Sequence, residues 1–155
     1  MIRIKKFMVF LMISTFILMA VHDVSAKEEK IQRPKENGVY IKTKNGLVRL
    51  LPNIVFDEGG VIFINSNNPQ TFALKDIQYF IVYGTFDMDV LTYNPMLFYQ
   101  ASALGSPRFV FGKDIDITVK KQKTPNLWIV RPKGPFSRGY FALWINDTAW
   151  DFVIE

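Results

Sequence analysis

From Gly38 to the end of the chain, no apolar period of the helical kind survives beyond a couple of turns. Short apolar runs are separated instead by clusters of Gly, Pro, Asn and Asp. A helix needs apolar residues to recur about every 3.6 positions to cover one face, whereas a strand needs only alternation over a few residues between turns. This cadence predicts an all-β domain, an antiparallel β-sandwich or small barrel.

Particular segments sharpen the expectation. Val39 to Thr43 alternates, Lys44-Asn45-Gly46 turns, and Leu47 to Leu51 returns, which reads as a hairpin. Gly59-Gly60 leads into Val61–Ile64, and Asn65 to Pro69 then breaks the chain. Gln78 to Tyr83 is apolar on both faces and predicts a central, doubly covered strand. Thr85–Tyr93, Met96–Gln100 and Arg108–Phe111 read as further strands, and Asp114 to Lys120 alternates with Ile115, Ile117 and Val119 toward the core. Leu127 to Arg131 is one more strand. The last two, Tyr140–Ile145 and Thr148–Ile154, flank Asn146-Asp147. That register sets Leu143 opposite Trp150 and Phe141 opposite Phe152 as one apolar face, with Tyr140, Ala142, Trp144, Ala149, Asp151 and Val153 on the other.

The start of the chain has a different character. Arg3, Lys5 and Lys6 precede a run from Phe7 to Val21 with nothing more polar than Ser14 and Thr15, and Val24-Ser25-Ala26 places small or short residues before a cut after Ala26. This is the three-part pattern of a secretory signal peptide, and the apolar run falls short of the roughly 20 residues a spanning helix needs. The chain therefore divides into a signal peptide (residues 1–26), a charged flexible leader (27–37) and one all-β domain (38–155). The expected address is exported, periplasmic or extracellular, with no transmembrane segment in the mature form.

Composition then removes whole chemistries. There is no Cys, and the single His, His22, lies in the expected signal peptide. A mature chain without thiol or imidazole has no Cys–His or Ser–His–Asp catalysis, no zinc site built on those residues and no disulfide. No cofactor is expected. Ser66, Ser102, Ser106 and Ser137 lie in no nucleophile motif. The acid pairs Asp87/Asp89 and Asp114/Asp116 each sit two apart on a strand, hence on one face, where they read as solvent-facing positions or as carboxylate pairs able to share a proton or chelate calcium.

Two features point to binding. Between Arg108 and Arg138 there are eight basic residues against two acids, Lys120, Lys121, Lys123 and Arg131 among them. Such an excess attracts polyanions. Trp128, Trp144 and Tyr140 fall on the less apolar faces of their strands, as an exposed shelf for a ligand or as further core. The expected function is a non-catalytic envelope binding module using Trp144, Tyr140, Trp128, Lys120, Lys121, Lys123 and Arg131. Its partner would be an envelope protein, a glycan or an anionic lipid; nucleic acid is a poor match for that compartment. The alternatives are a carboxylate-dependent polysaccharide hydrolase, or an assembly subunit pairing through an edge strand.

The opening Gly38-Val39-Tyr40 with Gly46-Leu47 and Leu50-Leu51-Pro52, and the ending Gly139-Tyr140-Phe141-Ala142-Leu143 with Trp150-Asp151-Phe152, resemble the two ends of assorted uncharacterised exported bacterial proteins. The resemblance implies an exported all-β chain and carries no activity or site residues.

Overall fold

The computed structural model describes residues 31, 33–101 and 105–155. Twelve strands are present: β1 Gly38–Thr43, β2 Gly46–Arg49, β3 Asn53–Glu58, β4 Val61–Asn65, β5 Gln70–Phe72, β6 Ile77–Tyr83, β7 Thr92–Ala101, β8 Pro107–Phe111, β9 Ile117–Lys121, β10 Leu127–Pro132, β11 Gly139–Ile145 and β12 Thr148–Ile154. The domain is all-β and its pairings are antiparallel apart from β12 with β5. The expected signal peptide lies outside the described residues.

The strands form two bodies of sheet. A five-stranded sheet runs β2-β1-β6-β10-β9, with β6 at its centre as its two-faced apolar sequence predicts. The second sheet runs β11-β7-β8-β4-β3-β12 and closes on itself where β11 pairs with β12. The result is a six-stranded barrel with β5 added on the outside of β12. Closure removes sheet edges, which would otherwise invite pairing with another chain.

The terminal hairpin joins the two bodies. Its register is the one the sequence predicts, Leu143 opposite Trp150 and Phe141 opposite Phe152. These four residues pack between the barrel wall and the five-stranded sheet with Val39, Ile41, Phe72, Phe80, Val82, Tyr93 and Val130. Phe152 lies at the aromatic centre, with ring centroids 5.5 Å from Phe80 and 6.3 Å from Phe141. The opposite face of the hairpin looks into the barrel. Ala142 and Ala149 are fully buried there with Ile64 and Met96, and Val55, Phe109, Phe111, Tyr140 and Trp144 pack around them.

Several segments depart from the sequence reading. Asn53–Glu58 and Gln70–Phe72 form strands that no alternation announced. Glu58 pairs with Val61 around Gly59 and Gly60, whose φ values of 63° and 84° fit the two-residue turn that glycine permits. Of the expected strand at Thr85–Tyr93, all but Thr92 and Tyr93 is instead a loop with a 3-10 turn at Met88–Val90, because the Asp87 side chain accepts from the Asp89 backbone N–H and starts the turn. Asp87 and Asp89 therefore do not share a strand face. From Thr92 the chain runs as one strand straight through Asn94-Pro95, pairing with β11 before that point and with β8 after it. Gly112 passes so close to Pro95 that a Cβ there would lie 2.8 Å from the Pro95 Cγ, so only glycine fits. Residues 33–37, the end of the expected leader, lie against the domain: Pro34 is buried, and the Tyr40 hydroxyl donates to the Glu36 carbonyl at 2.6 Å.

Candidate functional site at the barrel seam

The structure scatters the candidate residues of the sequence reading. Tyr140 and Trp144 are half-buried on the lumen face of β11, Trp144 stacked on Phe111 with centroids 4.5 Å apart and Tyr140 edge-on to Phe109 at 4.6 Å. Barrel closure turns the proposed shelf into an interior wall. Trp128 is in the other sheet, half-buried against the core between the layers, with the Lys121 ammonium 5.4 Å from its ring. Arg131 projects from the opposite face of the same strand and covers Tyr79, its guanidinium carbon 4.3 Å from the ring centroid. Lys120 and Lys121 are exposed on β9, the edge of the five-stranded sheet, where lysines discourage edge pairing. Lys123 lies in the turn that follows.

The acid pairs have local partners. Asp114 accepts from Asn94 Nδ2 at 2.6 Å, and Asp116 lies 3.7 Å from the Lys133 ammonium. Asn94 is buried in the barrel face of β7 and also donates to the Gly112 carbonyl at 3.0 Å, so it ties the loop after β8 to the barrel. Asp114 and Asp116 precede β9, which starts only at Ile117. Among the described residues no three His, Cys, Asp or Glu side chains cluster as metal ligands, and no helix is long and apolar enough to cross a membrane.

A different constellation lies where the barrel wall is imperfect. The outer edge of β12 is shared: β3 pairs with Thr148 and Ala149, and β5 with Phe152 to Ile154. Trp150 and Asp151 pair with neither. This seam opens into a cavity of ≈ 260 Å³ lined by Asn53, Ser66, Asn67, Asn68, Gln70 and Asp151 among others. Asn53 starts β3, Gln70 starts β5, and Ser66 to Asn68 form the loop after β4, so three chain segments bring amides to the same opening.

Asp151 is the buried acid of the site, only 7% exposed. Strand alternation turns it inward, on the same face as Tyr140. Its Oδ2 accepts from the Tyr140 hydroxyl and from the Ser66 hydroxyl, each at 2.6 Å. Among the described residues its Oδ1 has only a long approach of 3.4 Å from Asn53 Nδ2, whose better bond is 2.8 Å to the Asn65 carbonyl. Burial, and then the bond to Asp151, push the Tyr140 phenol well above its ordinary value, so the hydroxyl keeps its proton and stays a donor. Gln70 is held on both ends, accepting from the Leu51 backbone N–H at 3.0 Å and donating to the Arg49 carbonyl at 3.1 Å.

Beside the seam, two buried polar atoms lack partners among the described residues: Asn65 Oδ1 and Arg108 Nε. One is an acceptor and the other a donor, and their residues face each other across β4 and β8. Arg108 donates from Nη1 to Glu58 at 3.0 Å and covers the Phe63 ring.

Sequence reasoning placed Asp151 on the right face but gave it no role, and it read Asn65–Pro69 only as a break. The available signal was a lone acid between Trp150 and Phe152 in an otherwise apolar strand. Such a residue must find donors if it is buried. No known protein family, no characterised protein and no solved structure matches the chain.

Proposed function

We propose that this chain is exported, that residues 1–26 are a signal removed after Ala26, and that the mature domain is a non-catalytic envelope module that binds a glycan at the barrel seam. The observation that carries the ligand reading is the chemistry of the seam cavity, where the amides of Asn53, Asn67, Asn68 and Gln70 surround a single buried carboxylate. Amides both donate and accept, and a carboxylate accepts twice. This is the mixture that holds neighbouring hydroxyl groups of a sugar, with a few placed polar groups setting its orientation.

A polysaccharide hydrolase is the weaker reading. A glycosidase of the usual kind sets two carboxyl groups across the scissile bond, roughly 5–9 Å apart. The seam lining contains one acid, and Asp114 and Asp116 are engaged elsewhere, by Asn94 and Lys133. Assembly through an edge is also the weaker reading, since the barrel is closed, the β9 edge carries lysines, and the other edges, β2 and β5, are only 4 and 3 residues long.

Export is tested by sequencing the N-terminus of protein recovered from the source cells. A start at Lys27 is expected, and an intact Met1 in the membrane fraction overturns it. Binding is tested by adding soluble envelope polysaccharide fragments to the isotopically labelled protein. Amide shifts confined to Asn53, Ser66 to Asn68, Gln70 and Asp151 are expected. Shifts confined to β9 and β10, or release of shorter sugars, would replace this reading with a basic-face binder or with the hydrolase.

A further inference from the structure

We infer that the ligand at the seam presents a protonated amine to Asp151, which makes it an amino sugar with a free amine rather than a neutral or N-acylated one. This inference rests on the glycan reading above and narrows it. Asp151 is 7% exposed, and no cation among the described residues reaches it; it is held there by the Tyr140 and Ser66 hydroxyls and the Asn53 amide. A buried carboxylate taken out of water is costly unless an opposite charge accompanies it. The basic residues near this end are committed elsewhere, Arg49 to Glu36 and Arg108 to Glu58.

Geometry points the same way. Oδ2 is filled by two short hydroxyl bonds. Oδ1 keeps most of its accepting capacity, since its one neighbour stands 3.4 Å away and bonds better to another oxygen. Asn53 and Asp151 both line the cavity, and the strand ladder is interrupted beside them at Trp150 and Asp151. A ligand amine entering at the seam meets an acceptor with room for an N⁺–H bond, and the charge-assisted bond formed there is about twice as strong as a neutral one. The surrounding amides then take the hydroxyls of the same ring. A lone metal ion fits less well, because calcium asks for about six to eight oxygens and Asp151 is the one carboxylate in the lining.

Three β-1,4-linked disaccharides that differ only in the 2-substituent test the inference without altering the protein: the glucosamine dimer carries ammonium, cellobiose hydroxyl and the N-acetylglucosamine dimer an acetamide. Titration of the exported protein followed by calorimetry is expected to give the glucosamine dimer at least about tenfold tighter binding than either of the others, a difference of about 1.4 kcal/mol. Asp151→Asn keeps the shape and removes the charge, so the glucosamine dimer should fall to the level of cellobiose. Asn68→Ala, at the exposed rim, should weaken all three equally and leave the preference intact. Equal binding of the three sugars, or a preference for the acetamide, overturns the amine and leaves the glycan reading standing. Absence of binding by all three overturns both. Because the discrimination is made on the ligand side, it holds even if Asp151→Asn fails to fold.

Discussion

The two faces of the terminal hairpin are built from the same fourteen residues of β11 and β12 and live in different environments. One face, with Phe141, Leu143, Trp150 and Phe152, meets the five-stranded sheet and is filled with large rings. The other, with Tyr140, Ala142, Trp144, Ala149 and Asp151, lines the barrel and centres on two alanines and a carboxylate. The difference is geometric. Two sheets stacked face to face stand about 10 Å apart and need long side chains from both to fill the gap. A narrow six-stranded barrel converges on its own axis, so small residues at the middle and larger ones toward the mouths fit its taper. The same alternation thus produces a dry aromatic core on one side. On the other it leaves space in which a polar group can be held by partners from several strands.

The comparison is broken most forcefully at the aromatic core. Phe152→Ala or Trp150→Ala should cost about 3–5 kcal/mol, a large part of a typical total of about 5–15 kcal/mol. Urea unfolding measures this; a cost under about 1 kcal/mol in either variant would mean the interlayer face is not where the stability resides. The lumen should fail in the opposite sense, by overfilling. Ala149→Leu puts extra volume where Ala149 is fully buried beside Ile64 and Met96, and about 1–3 kcal/mol is expected. A neutral outcome would show slack space inside the barrel.

Polar loss in the lumen comes next. Asp151→Ala strands the Tyr140 and Ser66 hydroxyls, and about 1–3 kcal/mol should be lost. Combining it with Tyr140→Phe should recover part of that, since one stranded donor goes too; strict additivity in a double-mutant cycle would sever the link between the two. Trp144→Ala should be milder, about 1 kcal/mol, because the ring is partly exposed and its main contact is the Phe111 stack. A cost equal to that of Trp150→Ala would place the two faces on the same footing.

The smallest effect is invisible at neutral pH. Burial raises the phenols of Tyr93 and Tyr140 above their ordinary value, Tyr140 with further help from Asp151. In the unfolded chain they release protons near pH 10 or so, while the folded chain still holds them. The stability they carry is therefore complete below that pH and declines as pH rises toward their folded values. Unfolding followed between neutral and strongly alkaline pH should show this decline. Tyr93→Phe and Tyr140→Phe should each flatten it, and a profile unchanged in both variants would place their ionisation outside the folding balance.

Legibility in the sequence follows the range of the forces involved. Alternation is local, so the hairpin register at Asn146-Asp147, the inward run of Ile115, Ile117 and Val119 and the two-faced central strand β6 could all be read from neighbouring residues. The β3 and β5 strands could not. Asn53–Glu58 starts beside a proline and carries Ile54, Val55 and Phe56 in succession, and Gln70–Phe72 is three residues long. β3 is a strand because β4 returns along it through the Gly59-Gly60 turn and β12 takes its first two residues, and β5 because the edge of β12 is there to pair with it. The loop at Asp87 misled for a related reason: a side chain bonding its own backbone outbid a run of strand-forming residues.

The sequence by itself determined the all-β class, the apolar face that joins the two sheets and, through its lack of Cys, the exclusion of disulfides and thiol chemistry. Only the tertiary structure decided that the second face of the hairpin became a lumen, that β3 and β5 divide one strand edge between them, and that Asp151 stands at the gap they leave. Those outcomes depend on ring closure and on pairings between residues as far apart as Ser66 and Asp151. No pattern in neighbouring residues encodes such pairings, because what selects them is the closing of the whole barrel.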